Sequence, residues 1–260
     1  MQKMRSMRSF DYIESGKTLL TPHTTSLLAA IHEAKGRQSI QTTIRPDILG
    51  TLVAVARIQS TDASNRIEGI STSDSRLNDL VSEKVTPRNR NEEEIAGYRD
   101  ALSVIHESHD YIPITPNVIL QLHRDLFRHT PLTFAGHFKD SDNVIIERDA
   151  HGTSTVRFAP PSALVTPELI ERACSAYTQA IRDGHTDPLL AIAMFILDFI
   201  CIHPFNDGNG RMSRLLTLLM LCRNGYMVGK YISIEHLIEQ SKRTYYEALA
   251  ASTKLGRQRQ

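Results

Sequence analysis

The chain reads as a mainly α fold, a helical bundle carrying one β-hairpin, and three observations predict it. Apolar residues recur at helical spacing in most segments. One stretch breaks that pattern, because DNVIIERDAHGTSTVRFAPP holds two short β-branched runs around a polar, Gly-containing centre. Two strongly apolar runs, PLLAIAMFILDFICI and MSRLLTLLMLC, flank a polar block and read as buried helices joined by a loop.

In chain order, the helical spacing runs over Leu27 to Ala34, Ile48 to Ile58, Ile95 to Ile105, Val118 to Phe127 and Leu164 to Ile181. Pro46 to Glu68 reads as one long helix, opened by a proline and stopped before Gly69. Ser71 to Asn91 is rich in Ser, Asp, Asn, Arg and Thr and reads as a connector or mobile loop between helices. Asn91 to Glu94 reads as an acidic helix N-terminus. The hairpin is expected to pair Val144 to Glu147 with Thr155 to Phe158, closed by Pro160 and Pro161, with a new helix near Thr166 and Pro167 at its first position.

Composition limits the function classes. With 260 residues, the chain can form one domain, or one domain with an appended helical segment. Lys plus Arg is 30 and Asp plus Glu is 29, for a net charge of +1, so no basic field points to nucleic acid and any anion site is local. Cys174, Cys201 and Cys222 are widely spaced and odd in number, and read as reduced core thiols. The basic start MQKMRSMRSF has no apolar run after it, and the longest apolar run, Leu189 to Leu197, is too short for a bilayer. A cytoplasmic protein with neither membrane nor nucleic-acid partner is expected.

The polar block, His203 to Arg214, reads HPFNDGNGRMSR. His203 at the end of an apolar helix is a candidate general base, although a helix-terminal histidine can also simply cap carbonyls. Asp207, the loop's one carboxylate, suits Mg²⁺, which prefers few protein ligands beside phosphate oxygens and water; an Asp-Gly turn would aim it. Gly208, Asn209 and Gly210 bring backbone N–H groups close to an anion at a helix N-terminus, and the Asn209 amide can donate to a phosphate oxygen. Arg211 and Arg214 supply fork-shaped donors for a polyphosphate. Phe205 is expected to pack inward and anchor the loop.

This block is similar to the Fic family motif, His-x-Phe-x-Asp/Glu-Gly-Asn-Gly-Arg-x-x-Arg, with no departure at a defined position. DPLLAIAMFILDFICI looks like the family's preceding helix, and VRFAPPS like the return strand of its target-docking hairpin, so the resemblance covers roughly Ile40 to Leu249. It implies a Fic-type helical bundle with one β-hairpin flap, and transfer of AMP from ATP to a Ser, Thr or Tyr hydroxyl of a target protein. His203 would take the hydroxyl proton, and Asp207 would hold Mg²⁺ against the phosphates. Gly208, Asn209 and Gly210 would stabilise the transferring phosphoryl, while Arg211 and Arg214 would grip the β- and γ-phosphates. The related Doc branch, a phosphotransferase, has a lysine near the position of Gly210, which favours adenylyl transfer here. Tyr245 and Tyr246 resemble the family's C-terminal Tyr-Tyr-x-Ala-Leu helix, which implies Tyr246 near the adenine, with core packing the other reading.

The end of the Pro46 helix carries a second signal. Ser64 and Glu68 lie four apart on one face, and Glu68 sits where the helix dipole disfavours a carboxylate by about 0.3–1 kcal/mol, so a cationic partner is expected, Arg66 being the local candidate. SNRIEG is similar to the Fic family's inhibitory motif in its N-terminal-helix form. That resemblance implies a Glu68 pair with Arg214 that removes the arginine from the γ-phosphate, with Ser64 steadying the helix or touching the Glu68 carboxylate. The expected organisation is an N-terminal helical segment over 1–45, an inhibitory helix and connector over 46–90, the Fic core over 91–249 with its flap at about 136–161, and a C-terminal tail over 250–260. The expected function is an autoinhibited protein adenylyltransferase that uses ATP and Mg²⁺ on a protein docked at the flap, or on itself. Alternatives are removal of AMP at the same site, a nucleotide-responsive binding module, and a toxin.

Overall fold

Asp187 and Pro188 begin the helix around which the others pack: the Asp187 carboxylate accepts from Leu189 N at 2.9 Å, and proline suits the first turn. The computed structural model describes residues 10–44, 46–143, 145–148 and 154–258. Its helices in chain order are α1 (Tyr12–Leu19), α2 (Pro22–Ile44), α3 (Pro46–Ile67), α4 (Asp74–Val81), α5 (Arg90–Ser108), α6 (Pro116–Leu126), α7 (Thr166–Asp183), α8 (Pro188–Ile202), α9 (Asn209–Arg223), α10 (Val228–Tyr231), α11 (Ile234–Gln240) and α12 (Lys242–Gln258). Two short strands, β1 (Ile145–Arg148) and β2 (Ser154–Phe158), pair antiparallel with Glu147 opposite Thr155 and a register irregularity between Ile145 and Ile146. Val144, expected in the first strand, and residues 149–153 lie outside the described residues.

The core lies between α5, α6, α7, α8 and α9. Tyr98, Leu102, Ile119, Ile170, Phe195, Phe199, Leu215 and Leu219 are all essentially inaccessible within it. α8 is apolar on nearly every side because it is surrounded, and its one carboxylate, Asp198, accepts a hydrogen bond from the Tyr12 hydroxyl at 2.8 Å, tying α1 to the core. The three cysteines are buried and form no disulfide among the described residues, and burial pushes the thiols of Cys174 and Cys222 up to about 12 and about 11. Among the described residues, no helix is long and apolar enough to cross a membrane.

α3 ends on a left-handed glycine. Gly69, at φ +81°, donates to Arg66 O while Ile70 N donates to Asn65 O, both at 3.0 Å, which closes the helix and leaves Glu68 as its last half-helical residue. Arg66 turns away from Glu68 and pairs with Asp62 at 2.6 Å and Glu239 at 3.1 Å.

The expected loop between Ser71 and Asn91 is instead partly helical. Its Ser, Asp and Asn content conceals an apolar set at helical spacing, and α4 buries Leu77, Leu80 and Val81 against Ile95 of α5. Arg76 reaches from α4 to Glu92, with Nε to Oε1 at 3.0 Å and Nη2 to Oε2 at 2.5 Å, and this pairing holds the Glu92 carboxyl down at about 2. α5 begins one residue before the expected acidic start and is capped by Asn89, whose side chain accepts from Glu92 N at 3.0 Å. The expected tail from 250 is also partly helical, since α12 runs on to Gln258 through alanines and leucine that favour continuation.

Leu80→Ala is expected to lower stability to urea by about 2–5 kcal/mol, since Leu80 is fully buried in the α4 cluster. A loss below about 0.5 kcal/mol, the scale of a surface substitution, would mean that α4 is not packed. His106 supplies a pH dependence. Its ring is 4% exposed with neither nitrogen hydrogen-bonded, and burial, helped by Lys230 and Arg57, pushes it from 6.5 down to about 4. The unfolded chain binds this proton near 6.5 and the folded chain does not. Stability is therefore full above pH 6.5 and falls by on the order of 1–3 kcal/mol as pH drops to 4. Urea midpoints measured for wild type and His106→Leu should diverge over that window, and parallel curves would contradict it.

Candidate active site

At the end of α8 the chain must leave a buried helix and enter another, α9, within six residues, and a side chain rather than solvent organises the turn. Asn209 Oδ1 accepts from Phe205 N at 2.9 Å and its Nδ2 donates to Phe205 O at 2.8 Å. Asn209 is buried, and its amide shapes the loop from inside. Gly208 caps α9 at φ +80°, and a Cβ there would meet the Phe127 ring at 2.8 Å, so both the conformation and the space call for glycine. The result is a cleft of about 140 Å³ lined by Glu68, His203 and residues 206–211.

His203 is the C-cap of α8 in the left-handed region, φ 50° and ψ 64°, with its N–H donating to Phe199 O at 2.9 Å. Burial holds its ring below the ordinary 6.5, Lys139 acts in the same direction, and the Ile200 carbonyl, Glu68 and Asp207 oppose them. Nδ1 is buried near the Ile200 carbonyl without a well-aligned hydrogen bond. The neutral imidazole therefore persists below pH 6.5, as a base working near neutrality requires.

His123 on α6 supports the loop from beneath. Its Nδ1 accepts from Gly136 N at 2.9 Å, so Nε2 carries the proton and donates to Asp207 O at 3.1 Å. The ring stacks on Phe205, with centroids 3.7 Å apart and planes within 2°, and Phe205 is fully buried as expected. Burial pushes His123 to about 4, which keeps it neutral in this role. Nothing in the residues around His123 marked it, because its partners lie 13 and 84 positions away.

Asp207 stands at the mouth. Its Oδ1 accepts from Gly208 N at 2.6 Å, its Oδ2 lies 3.8 Å from Arg90, and the side chain is 48% exposed. A half-exposed carboxylate beside a helix N-terminus suits Mg²⁺, which takes few protein ligands. Among the described residues, no group of three or more His, Cys, Asp or Glu side chains gathers to enclose a metal.

The two arginines diverge. Arg211 is 1% exposed and pairs through Nη1 with Glu94 Oε2 at 2.7 Å, above the Phe127 ring at 5.0 Å. Glu94, expected only to complement a helix dipole, is thus the buried counter-ion of a loop arginine, and it also accepts from Arg90 Nε at 2.8 Å. Arg214 is 4% exposed and faces the end of α3: Nε donates to Ser64 Oγ at 2.8 Å, and Nη2 donates to Ser64 O at 2.9 Å and Glu68 Oε1 at 2.7 Å. Ser64 O is one of the last carbonyls of α3, where intrahelical partners run out. A Cβ on Gly210 would collide with the Glu68 carboxylate, so that carboxylate rests directly on the glycine of the expected cradle. Tyr245 and Tyr246 of α12 meet edge-on at 5.6 Å, and both lie within electrostatic reach of Arg214.

Residues 113–221 match the Fic/DOC family. A Fido domain-containing protein of Dictyostelium discoideum is 37% identical over 90 residues, covering 33% of this chain and 58% of that protein. The protein adenylyltransferase Fic of Nematostella vectensis is 25% identical over 171 residues, covering 63% of this chain and 37% of that protein. The chain therefore spans well under two thirds of the length of either relative. A solved Fic family protein from Desulfovibrio desulfuricans superposes with a TM-score of 0.74 at 24% identity, over 91% of this chain and 68% of that one, which is a likeness of fold.

Glu94→Ala is expected to destabilise the protein by about 3–5 kcal/mol, because it leaves the Arg211 charge buried without its partner. Thermal or urea unfolding checks this, and a cost below about 1 kcal/mol would mean that the pair is not buried in solution.

Proposed function

For a chain that carries a Fic/DOC family domain over residues 113–221, we propose the function of a protein adenylyltransferase restrained by its own helix α3. The observation that carries this reading is the clamp on Arg214. Its guanidinium is held by Ser64 and Glu68, and Glu68 itself lines the cleft together with His203, Asp207 and the α9 N-terminus.

In this mechanism the hydroxyl of a target Ser, Thr or Tyr gives its proton to His203 as its oxygen attacks the α-phosphorus of ATP. The bond from that phosphorus to the bridging oxygen breaks, AMP stays on the target oxygen, and pyrophosphate leaves. The Gly208 to Gly210 backbone lies at a helix N-terminus, where N–H groups without intrahelical partners stabilise phosphoryl charge as it develops. Asp207 would hold Mg²⁺, which when bound neutralises charge on the phosphate oxygens. Arg211 would contact the β-phosphate and Arg214 the γ-phosphate, with Tyr246 beside the adenine. The β1–β2 pair would act as the flap on which the target segment lies, by strand addition.

The restraint follows from competition for one guanidinium. The Glu68 carboxylate rests on Gly210 and bonds Arg214, so it occupies both the space and the donor that the terminal phosphates need. A second reading shares the site: Glu68 lines the same cleft as His203, where a carboxylate can orient a water to remove AMP from a modified protein.

Glu68→Gly is expected to transfer AMP from Mg-ATP to itself or to a protein in cell lysate, read by intact mass and by label from α-labelled ATP. Adding His203→Ala should cut the rate by about 10²–10⁴-fold. A folded, ATP-binding Glu68→Gly protein that transfers nothing would sink the reading, and loss of AMP from a modified partner only with Glu68 intact would favour the second.

A further inference from the structure

The base candidate sits in a conformation that its own residue type resists. A non-glycine residue at φ 50° needs surrounding structure to hold it, and the His203 N–H bond to Phe199 accounts for one side only. Lys139 supplies the rest. It lies on the segment leading to β1, is 3% exposed, and binds the carbonyls on both sides of His203: Nζ donates to Ile202 O at 3.2 Å, and its own backbone N donates to Pro204 O at 2.8 Å. A third contact orients the ammonium, since Nζ also donates to Asn143 Oδ1 at 3.0 Å, while Asn143 Nδ2 donates to Phe205 O at 3.4 Å. Carbonyls at a helix C-terminus lack intrahelical partners and carry partial negative charge, so a cation is suited to this place. Yet a lysine is seldom so completely buried unless it is paired with a carboxylate, and the direct partners of this ammonium are one backbone carbonyl and one side-chain amide oxygen.

We propose that Lys139 is the positioning residue for His203, gripping the backbone before and after it so that the ring is held toward the cleft, and keeping a positive charge beside the imidazole. The role of His203 as base rests on the adenylyltransferase reading; the grip itself does not. Burial pushes Lys139 down to about 8, with Asp142 opposing, so it remains mostly protonated at pH 7. The charged groups acting on His203 are Lys139, which lowers it, and Glu68 and Asp207, which raise it. Removing the lysine charge leaves the two carboxylates to act, and the imidazole midpoint rises.

The test compares Lys139→Met, Lys139→Arg and Asn143→Ala by two independent readouts. The first is the pH titration of the His203 ring signal by NMR in the full chain, assigned by its loss in His203→Ala. Lys139→Met should raise the midpoint by about one pH unit, with Lys139→Arg close to wild type. The second is AMP transfer in the Glu68→Gly background. There Lys139→Met should lower kcat by about 10–100-fold with KM for Mg-ATP within about threefold, and Lys139→Arg should recover most of it. An unmoved midpoint in folded Lys139→Met overturns the proposal, as does an unchanged kcat. If Lys139→Met does not fold, Asn143→Ala decides, since it keeps the lysine but frees its ammonium; midpoint and kcat both unchanged there would overturn the proposal too. A Glu68→Gly parent that transfers nothing while the midpoint shifts as expected refutes the adenylyltransferase reading and supports the grip.

Discussion

The rest of the structure depends on satisfying the backbone between α8 and α9. A polar turn squeezed between two buried helices has few water molecules to serve its carbonyls, and a buried carbonyl left alone costs about 1–3 kcal/mol. Donors from three segments meet this demand. Lys139 takes Ile202 O with its ammonium and Pro204 O with its backbone N–H, Asn143 and Asn209 take Phe205 O, and His123 takes Asp207 O. These bonds hold the backbone on both sides of His203 and at Asp207, so the cleft inherits its geometry from a packing requirement.

The same loop drives charges into the interior. Arg211 and Arg214 are nearly inaccessible, and a guanidinium out of water must be paired. The fold resolves the two cases differently. Arg211 meets Glu94, itself buried and further braced by Arg90, in an arrangement with no solvent to compete for either partner. Arg214 meets Glu68, which is 33% exposed at the cleft and held at a helix end by a glycine turn. One pair is closed inside the scaffold, whereas the other reaches the cleft through Glu68, which lines it.

That terminus is in turn tied to the C-terminal helices. Arg66 pairs with Glu239 of α11, and Lys242 of α12 donates to Ile67 O at 3.0 Å, so the two residues before Glu68 are held by α11 and α12. The position of Glu68 is therefore a property of three helices distant in sequence.

Much of this was legible without coordinates. Helical spacing located the core helices, Gly69 stopped α3 where a glycine should, and the His203 to Arg214 spacing gathered a histidine, a carboxylate and two glycines in one loop, because a loop's own residues stay close however the chain folds. α4 was obscured because its polar residues outnumber the apolar set of Leu77, Leu80 and Val81, and helix formation there depends on Ile95, which lies beyond it. The sequence alone determined which groups the loop carries and that a glutamate at the end of α3 needed a cation. The family resemblance named Arg214 as the partner of Glu68; only the tertiary structure turned Arg66 to Asp62 and Glu239 instead, gave Arg211 to Glu94, faced Asn209 inward, and brought Lys139 and His123 to the loop. Pairing of buried charges and carbonyls depends on distances across the packed core, and local spacing carries no record of those.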